Sequence, residues 1–401
     1  MSLLPVEAAL ARVLDKANPR AEELVALHDA SGRVLSQPVL ARRTQPPFDA
    51  SAMDGYAVRA ADLSNLPAKL EIVGTSAAGS GFTGELQPGQ AIRIFTGAPV
   101  PPAADTVVIQ ENTNRLSETV VEILEGSAPG RHIRRRGLDF ATGDTLLEAG
   151  RVLDPAALSL AAAGNHADLK VWKKPLVALI ATGDELLLPG SEPGPDQIIS
   201  SNAYGVGAIV SRAGGQVLDL GIARDDRAEI KSFVEKALAA GADVIVTLGG
   251  ASVGDHDLVN GVLVDLGIDL DFWKIAMRPG KPLMFGKLGE TRCLGLPGNP
   301  VSSLICSHLF LKPLVRALAG LPAAASEHDA VLDVPMPAND IRQDYVRAYA
   351  KAVNGVYHAT PFDTQDSSML RILANANAAI IRKPGAPAAA AGEPCRLLIL
   401  R

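Results

Sequence analysis

Three loops concentrate the residue types that handle phosphates and cations: Thr182-Gly183-Asp184-Glu185-Leu186, the run from Gly249 and Gly250 through Ser252 and Gly254 to His256 and Asp257, and Pro297-Gly298-Asn299-Pro300. Glycines let backbone N–H groups approach oxyanions, and carboxylates hold a divalent cation. Pro300 fits the first turn of a helix, whose start adds partial positive charge. Taken singly, each loop could equally be a tight strand-to-helix turn, with Glu185 a first-turn residue and Asp257 a cap. Together they suit a phosphate-bearing ligand and a cation. Between the last two lies Phe272 to Pro282, where Lys274, Arg278 and Lys281 stand in a segment that Pro279 and Pro282 keep from being helical. It reads as an oxyanion clamp or as a solvated basic loop. His256 has no second histidine at ligand spacing, which favours a surface or hydrogen-bonding role.

Earlier in the chain, Phe48 to Ala57 places Asp49 and Asp54 among small residues after Pro46-Pro47. Thr96-Gly97-Ala98-Pro99 follows an apolar run, and Arg134-Arg135-Arg136 lies beside Asp139. Composition alone assigns these no reaction, and the arginine run by itself reads as an exposed charged turn.

The elements that must position these residues change character along the chain. Val6, Ala9, Leu10, Val13, Leu14 and Ala17 follow helical spacing until Asn18-Pro19. From 44 to 150, short β-rich runs alternate with Gly and Pro turns. From Pro175 the pattern becomes strand then helix in alternation. Leu176 to Ala181 reads as a strand buried on both faces. Val206, Ile209, Val210 and Ala213 form one helical stripe, and Val217 to Ile222 reads as strand. Ile230, Phe233, Val234, Ala237 and Leu238 form a second stripe, capped by Asp225 or Asp226, before a strand at Val244 to Leu248. A helix from Val301 should be kinked or divided at Pro313.

Such alternation predicts a doubly wound α/β domain, in which ligands bind beyond the carboxyl ends of the strands, where the three loops fall. After about Ala323 the helices are expected to stop. Tyr345 to Thr360 predicts a hairpin about a type I′ Asn354-Gly355 turn, and 384–394 a mobile loop before a last strand. No internal repeat is evident.

Length and charge set limits. A chain of 401 residues exceeds what a single core supports. A formal net charge of −6 argues against nucleic-acid binding, so an anionic substrate must be met locally. The three cysteines, Cys293, Cys306 and Cys395, lack paired zinc spacing and fit free buried thiols in a reducing compartment. The opening residues do not resemble a leader, and no stretch is expected to approach the roughly 18 apolar residues of a membrane span, so a cytoplasmic protein is expected.

In its ordered motifs the sequence resembles the molybdopterin molybdenumtransferases, including the homologous C-terminal part of the plant enzyme and of gephyrin. The resemblance is carried, in order, by Ser51-Ala52-Met53-Asp54-Gly55-Tyr56-Ala57, Thr96-Gly97-Ala98, Arg136-Gly137-Leu138-Asp139, Thr182 to Leu186, Gly249 to Asp257, Pro279-Gly280-Lys281-Pro282 and Pro297-Gly298-Asn299-Pro300. It implies a multidomain α/β plus β fold. A discontinuous N-terminal domain (1–43 and 140–173) would carry an inserted β-rich domain (44–139), followed by a pterin-adenylyltransferase-like α/β domain (174–322) and a C-terminal β-barrel (323–401).

It also implies a homodimer whose active cleft joins the α/β and barrel domains of one subunit to the inserted domain of the other. The implied reaction takes adenylylated molybdopterin and molybdate to molybdenum cofactor and AMP, with Mg²⁺ as cofactor. Asp54, Glu185 and Asp257 are implied as metal-binding or catalytic acids, with Asp139 beside them. Thr96, Gly249, Gly250, Ser252, Gly254, Pro297, Gly298, Asn299 and Pro300 are implied to hold the adenylyl-pterin. Arg278, Lys281, Lys274, Arg347 and Ser368 are implied to bind molybdate. Further partners would be the pterin adenylyltransferase and recipient molybdoenzymes, with no nucleic acid or membrane. A pterin adenylyltransferase, and a gephyrin-like peptide-binding scaffold, are the alternatives.

Overall fold

The computed structural model describes residues 3–250, 258–323 and 326–401. They form two compact units, one running through Met1–Glu23, Gly32–Val34 and Trp172–Arg401, the other through Leu24–Ser31 and Leu35–Val171.

The first unit is built on a six-stranded sheet in the order Gln216–Ala223, Leu176–Thr182, Val244–Leu248, Thr291–Leu296, Pro282–Leu288 and Asp269–Lys274. The first four strands are parallel, and the last two join antiparallel. Alternate residues of Leu176–Thr182 enter opposite cores. Val177, Leu179 and Ala181 pack with Val206, Val210 and Ile305, whereas Ala178 and Ile180 pack with Ile230 and Val234. A strand covered on both faces has no polar side to present, which explains its unbroken apolar run. Strand order reverses here, because the next strand of this sheet, Gln216–Ala223, lies on one side and Val244–Leu248 on the other. At such a reversal the loops leaving adjacent strands diverge and open a crevice.

The helices follow the sequence with local differences. Helix Arg227–Ala239 is capped by Asp226, whose Oδ1 accepts from the Glu229 N–H at 2.9 Å; that frees Asp225 for another role. The first helix, Val6–Leu14, stops one turn before Ala17, where Lys16 takes φ 51°. Helix Pro300–Cys306 passes through a π turn, Ser307–Leu311, into Lys312–Leu318. Pro313 lacks the N–H that would continue an α ladder, so the hydrogen-bond pattern changes ahead of it.

This continuous run, Pro300–Leu318, corrects the expectation that no stretch approaches membrane length. Its 19 residues are long and apolar enough to cross by length and composition, but 72% of the qualifying window is buried within the fold, as in a core helix.

In the same unit five strands close into a barrel: Gln343–Val353, Val356–Pro361, Glu327–Leu332, Pro394–Ile399 and Ala378–Arg382, the last pairing back to the first. The hairpin turn takes φ 49° at Asn354 and 82° at Gly355, both positive as a type I′ turn requires. A helix does occur after Ala323, at Leu370–Asn375, and its six residues are too few for an apolar stripe to show in sequence. The 384–394 segment is a loop, held down by a bridge between Met336 and Ala389.

The second unit contains a six-stranded sheet in the order Thr106–Ile109, Gly55–Val58, Gln90–Ile94, Ala68–Ser76, Val120–Ile123 and Thr113–Arg115. Gly55 lies between two partners, Ile94 and Ile109, and a Cβ there would sit 1.9 Å from the Val108 carbonyl oxygen. Only glycine allows that approach. The same unit holds helix Pro155–Ala163, capped by Asp154.

Candidate functional site

The three strand-end loops converge in the first unit. Thr182, Gly183 and Glu185, then Gly249 and Gly250, then Pro297, Gly298, Asn299 and Pro300 line one open crevice of about 690 Å³, together with Asn202, Asp225, Pro282 and Ser368. Close backbone approach shapes it. Gly249 takes φ 104°, and a Cβ there would lie 2.8 Å from the Thr182 carbonyl oxygen. The Asn202 side-chain amide donates to the Gly298 carbonyl at 2.7 Å, tying the start of helix Asn202–Arg212 to the Pro297 loop. Ser201 supplies no side-chain cap, so the first N–H groups of that helix remain available to an anion at the crevice wall. The buried Thr182 hydroxyl makes no hydrogen bond among the described residues. Glu185 and Asp225 are exposed carboxylates, and among the described residues the lining includes no lysine or arginine.

Loop 362–369 bridges the barrel to this crevice. Asn299 Nδ2 donates to Ser367 Oγ at 2.9 Å, and the Val301 N–H donates to the Ser367 carbonyl at 3.1 Å. Ser368 donates to Asp366 through its hydroxyl at 2.6 Å and its N–H at 2.8 Å, which holds the Asp366 carboxyl below its usual range. Beneath the loop lies Arg347, 1% exposed. It donates from Nε to Gln365 Oε1 at 3.2 Å, and from its two terminal nitrogens to the Met369 and Thr364 carbonyls at 3.4 Å each. Burial lowers its pKa. Its polar contacts are therefore long ones to neutral oxygens, leaving a buried positive charge without a close carboxylate among the described residues.

The remaining cations of the predicted clamp stand elsewhere. Lys274 and Lys281 are exposed, and neither lines the crevice. Arg278 forms an ion pair with Asp344, its Nε donating to Oδ2 at 3.0 Å, and a second with Asp340 at 3.5 Å. The hydrogen bond to Asp344 raises the Arg278 pKa. Ser252, Gly254, His256 and Asp257 lie outside the described residues.

In the second unit, Asp54 and Thr96 are brought together. The Asp54 Oδ1 accepts from both the N–H and the hydroxyl of Thr96, each at 2.7 Å, and these bonds hold its carboxyl below the usual range. Asp139 lines a separate cavity of about 320 Å³ with Arg134, Phe48 and Gly97. Arg135 is ion-paired to Asp49 at 2.6 Å.

Sequence reasoning did not assign Asn202, Asp225 or Asp344 to a site. Asp225 carried a signal, as one of two adjacent acids before a helix that needs one cap. Asn202 reaches a carbonyl 96 residues away, which no local pattern marks.

Among the described residues no cluster of three or more His, Cys, Asp or Glu could hold a metal alone. Two carboxylates beside a glycine-lined wall and an uncapped helix start are nevertheless a donor set suited to Mg²⁺, which is usually bound through one or two carboxylates, water and substrate phosphates.

Comparison with known proteins gives three consecutive family matches: the MoeA N-terminal region (domain I and II) over residues 4–164, the probable molybdopterin binding domain over 178–317, and the MoeA C-terminal region (domain IV) over 329–400. The molybdopterin molybdenumtransferase of Bacillus subtilis (strain 168) is 34% identical, covering 99% of this chain and 94% of that protein. That of Nostoc sp. (strain PCC 7120) is 37% identical, covering 84% and 78%. The crystal structure of the molybdopterin biosynthesis moea protein from Pyrococcus horikosii superposes with a TM-score of 0.85 at 29% identity over 100% of both chains.

Proposed function

Because the chain belongs to the molybdopterin molybdenumtransferase family, which carries out the final, metal-inserting step of molybdenum-cofactor synthesis, we propose how its own residues divide that work. The observation carrying this reading is the convergence of three glycine-containing strand-end loops with Glu185 and Asp225 in one crevice.

The nucleotide end of adenylylated molybdopterin binds there. Gly249, Gly250 and the Pro297–Pro300 loop offer backbone groups, and the uncapped start of helix Asn202–Arg212 faces the pyrophosphate. Glu185 and Asp225 would hold Mg²⁺ at this pyrophosphate; the family resemblance adds Asp257, which lies outside the described residues. Bound there, Mg²⁺ would supply charge neutralisation of the phosphates, which favours departure of AMP. Molybdate docks beside the crevice. Ser368 stands at its wall and Arg347 supplies a buried charge beneath the same loop, while Lys281, Arg278 and Lys274 are assigned to the oxyanion by the family resemblance. A tetrahedral dianion is held better by several fixed donors than by one mobile lysine.

Asp54, Thr96 and Asp139 belong to the second compact unit. They complete the site of a second copy in a homodimer. Asp54 contributes a carboxylate that its two bonds from Thr96 keep ionised. Free thiols at Cys293, Cys306 and Cys395 agree with a cytoplasmic setting.

The test is AMP release from adenylylated molybdopterin. Release that depends on added molybdate is expected; equal release without the oxyanion would overturn the insertion chemistry.

A further inference from the structure

One planar cation ties together the chain segments that meet at Asp54. Arg93 stands in strand Gln90–Ile94 opposite Tyr56 of Gly55–Val58. Its Nη1 donates to the Gly55 carbonyl at 3.1 Å and its Nη2 to Gln110 Oε1 at 2.8 Å. The guanidinium carbon lies 5.1 Å from the centre of the Tyr56 ring and 4.9 Å from that of Phe95, both within the roughly 6 Å over which an aromatic ring attracts a cation. Three of these partners adjoin the Asp54–Thr96 pair: Gly55 follows Asp54, Phe95 precedes Thr96, and the Gln110 N–H donates to the Asp54 carbonyl at 3.0 Å.

The sheet ladder does not reach as far. Strand pairing ends at Gly55 and Ile94, so Asp54 and Thr96 lie just past it. Phe95 and Gln110 are exposed and belong to neither apolar cluster of this sheet. Arg93 forms no ion pair among the described residues, so its place is set by these hydrogen bonds and ring contacts. A rigid fork with two donors and two faces reaches a carbonyl, an amide oxygen and two rings at once; an ammonium on a flexible stem does not hold all of them.

Resting on the reading that Asp54 takes part in molybdenum insertion, we infer that Arg93 is a positioning residue for that reaction, keeping the Asp54 carboxylate in place by fastening Gly55, Phe95 and Gln110 around it. Arg93 acts through Asp54 and not on the substrate. Its loss should therefore slow the chemical step and leave binding of the adenylylated pterin, which belongs to the crevice of the other compact unit, as it was.

Single-turnover AMP release tests this, with protein in excess over adenylylated molybdopterin and molybdate saturating. The rate constant reads the chemical step, and the protein concentration at half-maximal rate reads binding. Arg93→Lys keeps the charge without the fork, whereas Gln110→Leu, at an exposed position, removes one acceptor and keeps the N–H to Asp54. The expected result is a rate constant lowered about 10-fold in Arg93→Lys and about 3-fold in Gln110→Leu, with half-saturation unchanged. Added to Asp54→Asn, Arg93→Lys should cause no further fall. If Arg93→Lys does not fold, as urea unfolding would reveal, Gln110→Leu decides by the same two readouts. Unmodified rate constants in both variants, beside a slowed Asp54→Asn, would overturn the assignment to Arg93 alone. So would an undiminished fall in the Asp54→Asn background, because Arg93 would then act independently of that carboxylate, and so would a shift of half-saturation in place of the rate. If Asp54→Asn itself releases AMP at the unmodified rate, the reading of Asp54 fails and the role of Arg93 goes with it.

Discussion

Thr96 grips one oxygen of Asp54 twice, through its backbone N–H and its hydroxyl, both at 2.7 Å. The N–H bond is the larger cause of the lowered Asp54 pKa and the hydroxyl bond the next. Thr96→Val keeps the first and removes the second, so the Asp54 carboxyl should titrate at higher pH than in the unmodified protein. Carboxyl NMR reads this directly, and the acid limb of the pH–activity profile should move upward with it. An unmoved titration would show that the hydroxyl bond does not hold the ionised form.

Glu185 is exposed and forms no ion pair among the described residues. Glu185→Gln should therefore leave thermal stability within about 0.5 kcal/mol while lowering molybdate-dependent AMP release about 100-fold or more. Turnover at the unmodified rate would remove Glu185 from the site.

Gly249→Ala places a Cβ 2.8 Å from the Thr182 carbonyl oxygen at φ 104°. Strain of about 1–3 kcal/mol is expected in urea unfolding, together with weakened AMP binding, because the collision occurs at the crevice wall. Unchanged stability would show that the loop can relax without cost.

Arg347→Met removes the guanidinium bonds to the Gln365 side-chain oxygen and the Thr364 and Met369 carbonyls, although Gln365 keeps the bond from the residue-347 backbone N–H and Met369 that from Leu373. A loss of about 1–3 kcal/mol is expected. Hydrogen exchange should accelerate across 362–369, the loop that carries Ser368. Arg347→Lys should restore charge but not the three-way contact, because an ammonium lacks the planar fork. Unchanged exchange in the methionine variant would argue that the loop is held by Ser367 and Asn299 alone.

Burial pushes the His308 pKa down to about 4 from an ordinary 6.5, with Lys312 and Arg212 adding repulsion. Between those values the unfolded chain binds the proton and the folded chain does not, so stability should fall as pH drops from 6.5 toward 4. The full contribution is about 3 kcal/mol. His308→Gln should flatten this part of the stability–pH curve; an equally steep curve would assign the dependence to other groups.

The parallel core was legible because burial on both faces writes itself into the sequence as an unbroken apolar run, as at Leu176–Thr182, and because glycine-rich turns punctuate its strand ends. Asp225 could be separated from Asp226 only when one of them was seen to cap a helix. The Asn202–Gly298 bond and the pairing of Arg278 with Asp344 join residues 96 and 66 positions apart, and such contacts follow from the sheet order rather than from local spacing. Arg347 sits in the buried half of its strand, where an arginine looks like any other polar position until the loop above it is in place.

Closure of the last five strands also limits how other molecules can engage that end of the chain. With Ala378–Arg382 returning to Gln343–Val353, the ring of five strands pairs all the way round among the described residues, and the short strand Met277–Arg278 lies against Gln343 and Asp344, so few main-chain groups are left to which an extended peptide could add hydrogen bonds. Any recognition there must be read from side chains and loops, and misassembly by border-to-border stacking would first require the ring to open.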